Sequence, residues 1–388
     1  MEIFILPNTT SPFPSIGAAP EVPPTSSSKK SLEHAQKWLA DCCKNHKHCA
    51  RPTDRHHPLP KRLIDVLSSQ EGGSVRLIET SSGQKGRYLC LSHCWGDPKH
   101  HPRPLETKKE SLKRHKEQIS WKSLPKTFQD AISFVRSLGE SYIWIDSLCI
   151  VQDCPDDWNQ EASKMADVYS NSYLTLAATK TTNSTESLFS KLDDEYKPHP
   201  YDFEENGSMY TLYFRKSFYH WTTDNEARPP PLLQRAWVYQ ERFLSPRTLH
   251  FGAQELLWEC KKFATCECGT WTRTDYQKDL ALLDKLESPE KSISWHTVVS
   301  EYSHLKLTKE SDRLPAIAGV AKRIQCIQGR GSYLAGLWKE SFLEDLLWRR
   351  KSELRLDDPT SSMRDTSASP SWSWICMKGT RLSYEDTF

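Results

Sequence analysis

An almost continuously apolar run, Tyr142–Ile150, limits the folds available to this chain. A strand without alternating polar residues is buried on both faces, which is typical of a parallel sheet covered by helices. Further apolar strands are predicted at Tyr88–Ser92 and Tyr173–Ala178, and amphipathic helices at Leu124–Leu138 and Trp158–Tyr169. Strands and helices that alternate in this order predict an α/β core built on a parallel sheet.

Periodicity and composition divide the chain into four parts. Residues 1–31 are rich in Pro, Ser and Thr and lack periodicity, so we predict a flexible tail. Residues 32–180 form the α/β core, which begins with a helix and a β-hairpin, and residues 181–231 form a polar insertion or linker. Residues 232–388 are predicted to be a helical and β extension packed on the core, with additional β-hairpins and a mainly helical C-terminal lobe.

Three predictions in the extension depend on short patterns. Helices are predicted at Gln277–Leu286 and Tyr333–Trp348, where apolar residues recur at helical spacing. The alternating segment Trp372–Met377 is predicted to be a final strand.

The composition excludes several classes of protein. The 388 residues carry a formal net charge of +2, so there is no basic excess for nucleic acid and no acidic tail. Apolar runs such as Tyr142–Ile145 are far too short to span a bilayer, and the N-terminus lacks a secretory signal pattern. The 12 cysteines are scattered through a large chain, which indicates reduced thiols. We therefore predict a cytoplasmic protein with no nucleic-acid partner and no membrane span.

Polar residues follow two of the predicted strands. Ser92 and His93 end the first strand, Trp95 is in the turn-rich loop after it, and Asp146 and Cys149 follow in the next apolar run. Ligands of open parallel sheets bind outside the carboxyl ends of the strands. Ser92, His93, Trp95 and Cys149 are therefore candidates for substrate binding, and Asp146 is a candidate acid/base. The alternative is that Ser92 and Asp146 only cap loops by accepting hydrogen bonds from neighbouring N–H groups.

Glu161 falls inside the apolar sector of the helix Trp158–Tyr169. A carboxylate in that position must be paired or functional, because an unpaired buried charge is costly. Glu161 is therefore a candidate catalytic residue. The alternative is an internal ion pair, for instance with Arg235 or Arg242.

A dense run of polar side chains follows the insertion, between Gln234 and Arg242. Glu241 is a third candidate acid/base. Its neighbours are candidate substrate-binding residues, namely Arg235, Trp237 and Gln240. The alternative is a polar network that joins two domains.

Cys42, His46 and Cys49 have the spacing C-x3-H-x2-C. A structural zinc site needs a fourth ligand. Cys260, Cys266 or Cys268 could supply that ligand only if the fold brings it near. The sequence alone leaves this question open and assigns no metal site.

Several blocks of the chain resemble, in the same order, those of a known family. In the core they are YLCLSHCWG at Tyr88–Gly96, LPKTFQDAI at Leu124–Ile132, YIWIDSLCIVQD at Tyr142–Asp153 and DWNQEASKMADVYSNSYLTLAA at Asp157–Ala178. Later blocks include RAWVYQERFLSPRTLHF at Arg235–Phe251 and SWSW at Ser371–Trp374. On these blocks the chain resembles the fungal heterokaryon-incompatibility (HET) domain family.

That resemblance implies a function in fungal heterokaryon incompatibility and programmed cell death. The family is regarded as distantly similar to the TIR fold, which would place Glu161 where NAD-cleaving TIR domains keep their glutamate. No cofactor is implied with certainty, and NAD is a candidate substrate. A small-molecule ligand or self-association into a homo-oligomer would be the mode of action.

Two other functions stay open at this stage. A stand-alone member of the family could be a natural-product-modifying enzyme of fungal secondary metabolism that uses acid/base chemistry on a small molecule. The chain could also be a non-catalytic recognition module, in which case its candidate carboxylates would all be structurally paired.

Overall fold

The computed structural model describes residues 1–46, 49, 57–68, 73–220, 229–273, 295–351 and 369–384. The chain is divided into two compact units, each discontinuous in sequence. The first unit comprises Met1–Trp158, Asn171–Leu232 and Pro246–Tyr276, and the second comprises Asn159–Ser170, Leu233–Ser245 and Gln277–Phe388. None of the helices in the described ranges has the length and apolar character needed to cross a membrane.

The described part of the first unit contains strands and helices that alternate irregularly along the chain. The strands are β1 (Glu2–Phe4), β2 (Arg62–Asp65), β3 (Arg76–Glu79), β4 (Leu89–Ser92), β5 (Tyr142–Trp144), β6 (Leu174–Ala177), β7 (His199–Glu205), β8 (Ser208–Arg215), β9 (Arg247–Phe251), β10 (Leu256–Cys260), β11 (Ala264–Cys266) and β12 (Thr272–Arg273). The helices are α1 (Lys29–Asn45), α2 (Lys109–Glu117), α3 (Lys126–Ser137), α4 (Asp146–Cys149) and the start of α5 (Pro155–Ser170), which continues in the second unit.

Nine of these strands form the main sheet, in the order β12-β11-β10-β9-β6-β4-β5-β2-β3. Its centre is parallel, from β9 through β6 and β4 to β5, and antiparallel hairpins extend it on both sides. All residues of β4, β6, β9 and β10 are buried, as expected for strands covered on both faces. The predicted parallel-sheet α/β core with additional hairpins is confirmed, and β9–β12, within the predicted extension, are part of the same sheet.

Helix α1 is positioned by one apolar face and a serine cap. The Ser28 side chain accepts a hydrogen bond from the Ser31 N–H at 3.1 Å, which satisfies one of the free donors at the helix start. The buried positions recur at helical spacing, and they are Ser31, Ala35, Leu39 and Cys42. Beside this face the Trp38 ring lies 6.4 Å from the Trp258 ring of β10. This packing brings the C-terminal end of α1 to the end of β10.

The apolar run Tyr142–Ile150 is not one strand, which corrects the sequence prediction. Strand β5 ends at Trp144, and Asp146 begins the single-turn helix α4. The Asp146 carboxylate accepts a hydrogen bond from the Ser147 N–H at 2.7 Å, which favours a turn over continued extension. Apolar periodicity could not detect this change, because both the strand end and the short helix are buried.

The N-terminal segment and the insertion pair with each other. Strand β1 is antiparallel to β8, which is antiparallel to β7, so the two segments form a three-stranded sheet. Arg215 of β8 donates to the Glu2 carboxylate at 2.8 Å and to the Pro20 carbonyl at 2.9 Å. Residues 1–31 and 181–231 therefore contain regular structure that their polar composition did not predict.

The second unit has a core of aromatic and aliphatic residues contributed by helices and short hairpins. In its described part the helices are the remainder of α5, α6 (Ala236–Leu244), α7 (Trp295–Tyr302), α8 (Pro315–Gln328) and α9 (Phe342–Asp345). Its strands are β13 (Tyr333–Leu334), β14 (Leu337–Trp338), β15 (Trp348–Arg350) and β16 (Leu382–Tyr384), which pair as β13–β14 and β15–β16.

Two secondary-structure predictions in this unit were wrong. Tyr333–Trp348 is not one helix, because Ala335 and Gly336 have φ values of 45° and 92° and close the β13–β14 hairpin. A Cβ atom at Gly336 would lie 2.7 Å from the Trp374 indole nitrogen, so this position requires glycine. Trp372–Met377 contains a 3₁₀ turn capped by Ser373 and forms no strand. The predicted helix Gln277–Leu286 lies outside the described residues.

Candidate functional site at the carboxyl edge of the main sheet

The carboxyl ends of β4 and β5 lie at one edge of the main sheet because these strands are parallel neighbours. Ser92 is the last residue of β4, and its hydroxyl has no hydrogen-bond partner among the described residues. His93 follows it and is 3% exposed. Asp146 begins the turn after β5, and its side chain is 24% exposed. The sequence prediction that these residues lie at one edge agrees with this topology.

Asp146 is the centre of a small polar cluster, which we call the edge site and define as His93, Trp95 and Asp146. The Trp95 indole Nε1 donates to Asp146 Oδ2 at 2.8 Å, and the Ser147 N–H donates to Oδ1 at 2.7 Å. His93 Nδ1 lies 3.8 Å from Asp146 Oδ1. A carboxylate fixed by two donors and still partly exposed can accept a further hydrogen bond from a ligand.

The loop that carries Trp95 is held by close packing. The His93 ring packs edge-on against Phe128 of α3, with centroids 4.9 Å apart. Gly96 has φ of 90°, and a Cβ atom there would lie 2.8 Å from the Asn183 Cβ atom. Only glycine fits this turn without a shift of the neighbouring segment. The sharp turn after β4 thus follows from the sequence His93–Gly96.

Cys149 belongs to a buried network that supports the same edge. Its carbonyl accepts a hydrogen bond from Arg62 Nη1 at 2.8 Å, and the same guanidinium donates to Asp157 Oδ2 at 2.8 Å. Burial disfavours the charge of Asp157, but hydrogen bonds from Arg62, Lys61 and the Val151 N–H outweigh it and hold the pKa of this carboxyl well below its usual range. This contact of Cys149 is a structural one, between β2 and the start of α5.

The other predicted site residues belong to the second unit. Glu161 is 2% exposed, and Lys164 Nζ lies 3.8 Å from its Oε1 atom. Glu241 is also buried, and its carbonyl accepts a hydrogen bond from the Ser245 hydroxyl at 2.7 Å. Both carboxylates are thus placed in the interior, as the apolar sector of α5 predicted for Glu161. Their role in a common site with Asp146 stays a prediction.

Gln240 and Trp237 hold α6 within the second unit. Gln240 Oε1 accepts a hydrogen bond from the Gly319 N–H of α8 at 2.7 Å. A Cβ atom at Gly319 would lie 2.6 Å from that oxygen, so the close approach requires glycine. Trp237 Nε1 donates to Asp312 Oδ2 at 3.4 Å, and the main chain of Arg235 forms a bridge with Lys306. These contacts all lie within the second unit, and a role of this run in substrate binding stays a prediction.

Two cavities lie elsewhere in the first unit. One of about 440 Å³ is lined by Met1, Glu195, His199, Phe214, Arg215 and Lys216. Another of about 250 Å³ is lined by residues that precede β4 or lie at the start of β5, namely Gly86, Arg87, Glu140, Ser141 and Tyr142. It lies at the amino ends of the parallel strands, away from the edge where such sheets bind ligands. Neither cavity is lined by a predicted site residue.

The structure also brings together two clusters of metal-ligand side chains that the sequence did not assign. The Cys42 cluster consists of four buried residues, Cys42, His46, Cys49 and Cys260. The Cys268 cluster consists of His220, Glu255, Cys266 and Cys268. The spacing of Cys42, His46 and Cys49 was the signal for the first cluster, and Cys260 supplies its fourth member. No sequence signal identified His220 or Glu255.

Comparison with known families gives a match that covers the edge site. Residues 88–241 match the family described as Heterokaryon incompatibility protein (HET). Comparison with curated proteins and with solved structures found no match. The matched range contains the edge site in the first unit and Glu161, Gln240 and Glu241 in the second. Residues 88–241 of this chain are therefore similar to the heterokaryon-incompatibility (HET) domain.

Proposed function

We propose that this chain acts in heterokaryon incompatibility and programmed cell death, and that the edge site is where its HET domain binds a ligand. The hydrogen bond from Trp95 Nε1 to Asp146 Oδ2, at 2.8 Å, carries the proposal. It fixes a partly exposed carboxylate at the edge of the sheet where ligands of parallel α/β folds bind. All three residues of the edge site lie inside the matched range.

The chemistry of the edge site supports a small polar ligand. Asp146 can accept a hydrogen bond from a hydroxyl or amine group, and the Trp95 ring beside it offers a flat apolar surface. His93 is buried and packed on Phe128, so its ring holds one orientation close to Asp146. A nucleotide or another ribose-containing molecule has both the hydroxyl groups and the flat ring for such a site.

The enzymatic form of the proposal is cleavage of NAD with Glu161 as the catalytic carboxylate. Glu161 is 2% exposed and lies in the matched range. Lys164 Nζ lies 3.8 Å from Glu161 Oε1. A buried carboxylate is a recurrent feature of functional sites.

Expression in a filamentous fungus under an inducible promoter tests the first part of the proposal. We expect induction of the wild-type chain to stop growth and kill cells, and Trp95→Phe and Asp146→Asn to abolish this effect at equal protein levels. Asp202→Asn, on the exposed face of β7, is the matched control and should behave as wild type. Equal killing by wild type and by both edge-site variants would contradict the role of the edge site.

Incubation with NAD and measurement of released nicotinamide tests the enzymatic form. Glu161→Gln should lower turnover by a factor of about 10²–10⁴ if the carboxylate acts as an acid or base. Asp167→Asn, on the exposed side of the same helix, should keep wild-type turnover. Absence of turnover in wild type, or equal turnover in Glu161→Gln, would show that the domain does not cleave NAD through this residue.

A further inference from the structure

Four ligand atoms from distant parts of the first unit converge in the Cys42 cluster. Cys42 lies in the last turn of α1, His46 and Cys49 follow the helix, and Cys260 ends β10. One ligand atom from each residue lies within 4.8 Å of the other three. All four residues are buried, with His46 the most exposed at 4%. We propose that these four side chains bind one zinc ion.

The spacing of the ligand atoms fits tetrahedral zinc. With Zn–S bonds of about 2.3 Å and Zn–N bonds of about 2.0–2.1 Å, tetrahedral geometry separates sulfur from nitrogen by about 3.5–3.6 Å. The Sγ atom of Cys260 lies 3.5 Å from Nδ1 of His46. This distance is that of two ligands on one ion. A ligand set of three thiolates and one imidazole suits zinc, whereas magnesium and calcium prefer oxygen ligands.

His46 is oriented as a metal ligand. Its Nδ1 atom faces Cys260, and its other ring nitrogen, Nε2, lies 3.4 Å from Oδ2 of Asp41. An Nε2–H group that donates to Asp41 leaves the lone pair of Nδ1 directed into the cluster. A histidine ligand with a carboxylate on its far nitrogen is the usual arrangement around zinc, because the carboxylate fixes the tautomer and raises the basicity of the ligand.

The turn between β10 and β11 fixes the main chain at Cys260. The Cys260 N–H group donates to the Phe263 carbonyl at 2.9 Å, which closes the turn after β10. Arg247 Nη2 also donates to the Cys49 carbonyl at 2.8 Å, which fixes the segment after α1 against β9. The surroundings of the cluster are thus built to hold these four side chains in place.

A site with four protein ligands and no exposed member is a structural one, since catalytic zinc keeps an open position. The ion would join the end of α1 to the end of β10, across 214 residues of sequence. This role is separate from the edge site. Loss of NAD cleavage or of cell killing therefore does not bear on the zinc site.

Metal analysis of the purified full chain, produced without chelator, tests the proposal. We expect about one zinc ion per chain in wild type, and little or none in Cys42→Ser and Cys260→Ser. Cys43→Ser is the matched control, because Cys43 is adjacent in sequence, lies outside the cluster and has its Sγ atom 3.8 Å from the Tyr173 hydroxyl. This variant should keep its zinc. Equal zinc content in wild type, Cys42→Ser and Cys260→Ser would overturn the proposal.

A second measurement uses the wild-type chain alone, so its result does not depend on whether the variants fold. Cobalt(II) exchanged into the protein reports its ligands by absorption, since thiolate ligands give an intense near-ultraviolet charge-transfer band and tetrahedral geometry gives strong visible bands. We expect both features, and we expect zinc to remove them when it is added back. A cobalt spectrum with no thiolate band would overturn the proposal without any substitution.

Discussion

The β10–β11 hairpin carries two clusters of potential metal ligands, and they differ in what holds them together. In the Cys42 cluster, Cys260 Sγ lies 3.5 Å from His46 Nδ1, and Asp41 Oδ2 lies 3.4 Å from the other ring nitrogen of His46. In the Cys268 cluster the direct contacts between side chains are shorter. His220 Nε2 lies 2.9 Å from Glu255 Oε1, and the sulfur atoms of Cys266 and Cys268 are 3.1 Å apart.

Those direct contacts are shorter than a shared ion would give. Two sulfur ligands of tetrahedral zinc lie about 3.8 Å apart, and a nitrogen and an oxygen ligand about 3.4 Å. Glu255 also uses its second oxygen, which accepts a hydrogen bond from the Cys268 N–H at 2.7 Å. Side chains of ligand type that lie close together therefore do not by themselves make a metal site. The lone pairs of their ligand atoms must also point at one common position, where the ion would bind.

The largest expected difference between the two clusters is in stability. Cys260→Ser should lower the free energy of unfolding by more than about 4 kcal/mol, because loss of a structural metal is one of the few single changes with so large an effect. Cys266→Ser should cost only about 1–3 kcal/mol, the range for a lost buried hydrogen bond. Urea denaturation followed by tryptophan fluorescence measures both.

A chelator supplies the control for that difference. Wild type and Cys266→Ser should both lose stability when zinc is removed, whereas Cys260→Ser should be unaffected. If the two serine variants were equally destabilised and equally insensitive to chelator, the distinction between a metal-held and a hydrogen-bonded cluster would be wrong.

The Cys268 cluster should instead respond to pH. Burial disfavours the protonated ring of His220, but its hydrogen bonds to Cys268 and Glu255 outweigh burial and raise its pKa to about 9. Because the pKa of His220 is higher in the folded state, its contacts stabilise the fold fully at pH values below its pKa in the unfolded chain, about 6.5. This stabilisation is lost as the pH rises through about 9. We expect wild type to exceed His220→Gln by about 1–3 kcal/mol at pH 6.

Unfolding curves recorded from pH 6 to pH 10 measure this effect. The difference between wild type and His220→Gln should shrink toward the alkaline end, whereas the cost of Cys260→Ser should persist over the same range. A difference that stayed constant with pH would show that His220 is not held in its charged form by this cluster.

The smallest expected effect concerns Asp41. Asp41→Asn should weaken zinc binding by about 10–100-fold, because the carboxylate orients His46 without contacting the ion. Competition with a chromophoric chelator measures the affinity. Asn45→Ala removes the other side-chain hydrogen bond of Asp41, at 2.6 Å, and should leave the affinity nearly unchanged. An unaltered affinity in Asp41→Asn would show that Asp41 does not orient His46 for zinc binding.

Sequence patterns predicted the centre of the molecule better than its margins. The strands at Leu89–Ser92 and Leu174–Ala177 and the helix at Lys126–Ser137 follow from apolar periodicity, because burial on defined faces leaves a regular record in the sequence. The hairpin at Tyr333–Trp338 was missed because it depends on the φ angles of Ala335 and Gly336. Single residues in turns leave no periodic record.

The candidate sites likewise have features that the sequence predicted and features that it did not. Ser92 and Asp146 were placed at one edge because the rule for parallel strands is geometric and needs only the order of the elements. The bond between Trp95 and Asp146 depends on a side-chain direction that no pattern specifies. The choice of Cys260 over Cys266 and Cys268 depends on the registration of α1 against β10, which is a property of tertiary packing.

The 214 residues between His46 and Cys260 have a consequence for synthesis. A ribosome that adds about 5–20 residues per second needs about 10–40 s to pass from one to the other. During that interval Cys42, His46 and Cys49 have been made but lack the partner that completes their cluster. The end of α1 is therefore synthesised early and fixed late, and a nascent chain with exposed thiols is the form most open to oxidation or to capture by a chaperone.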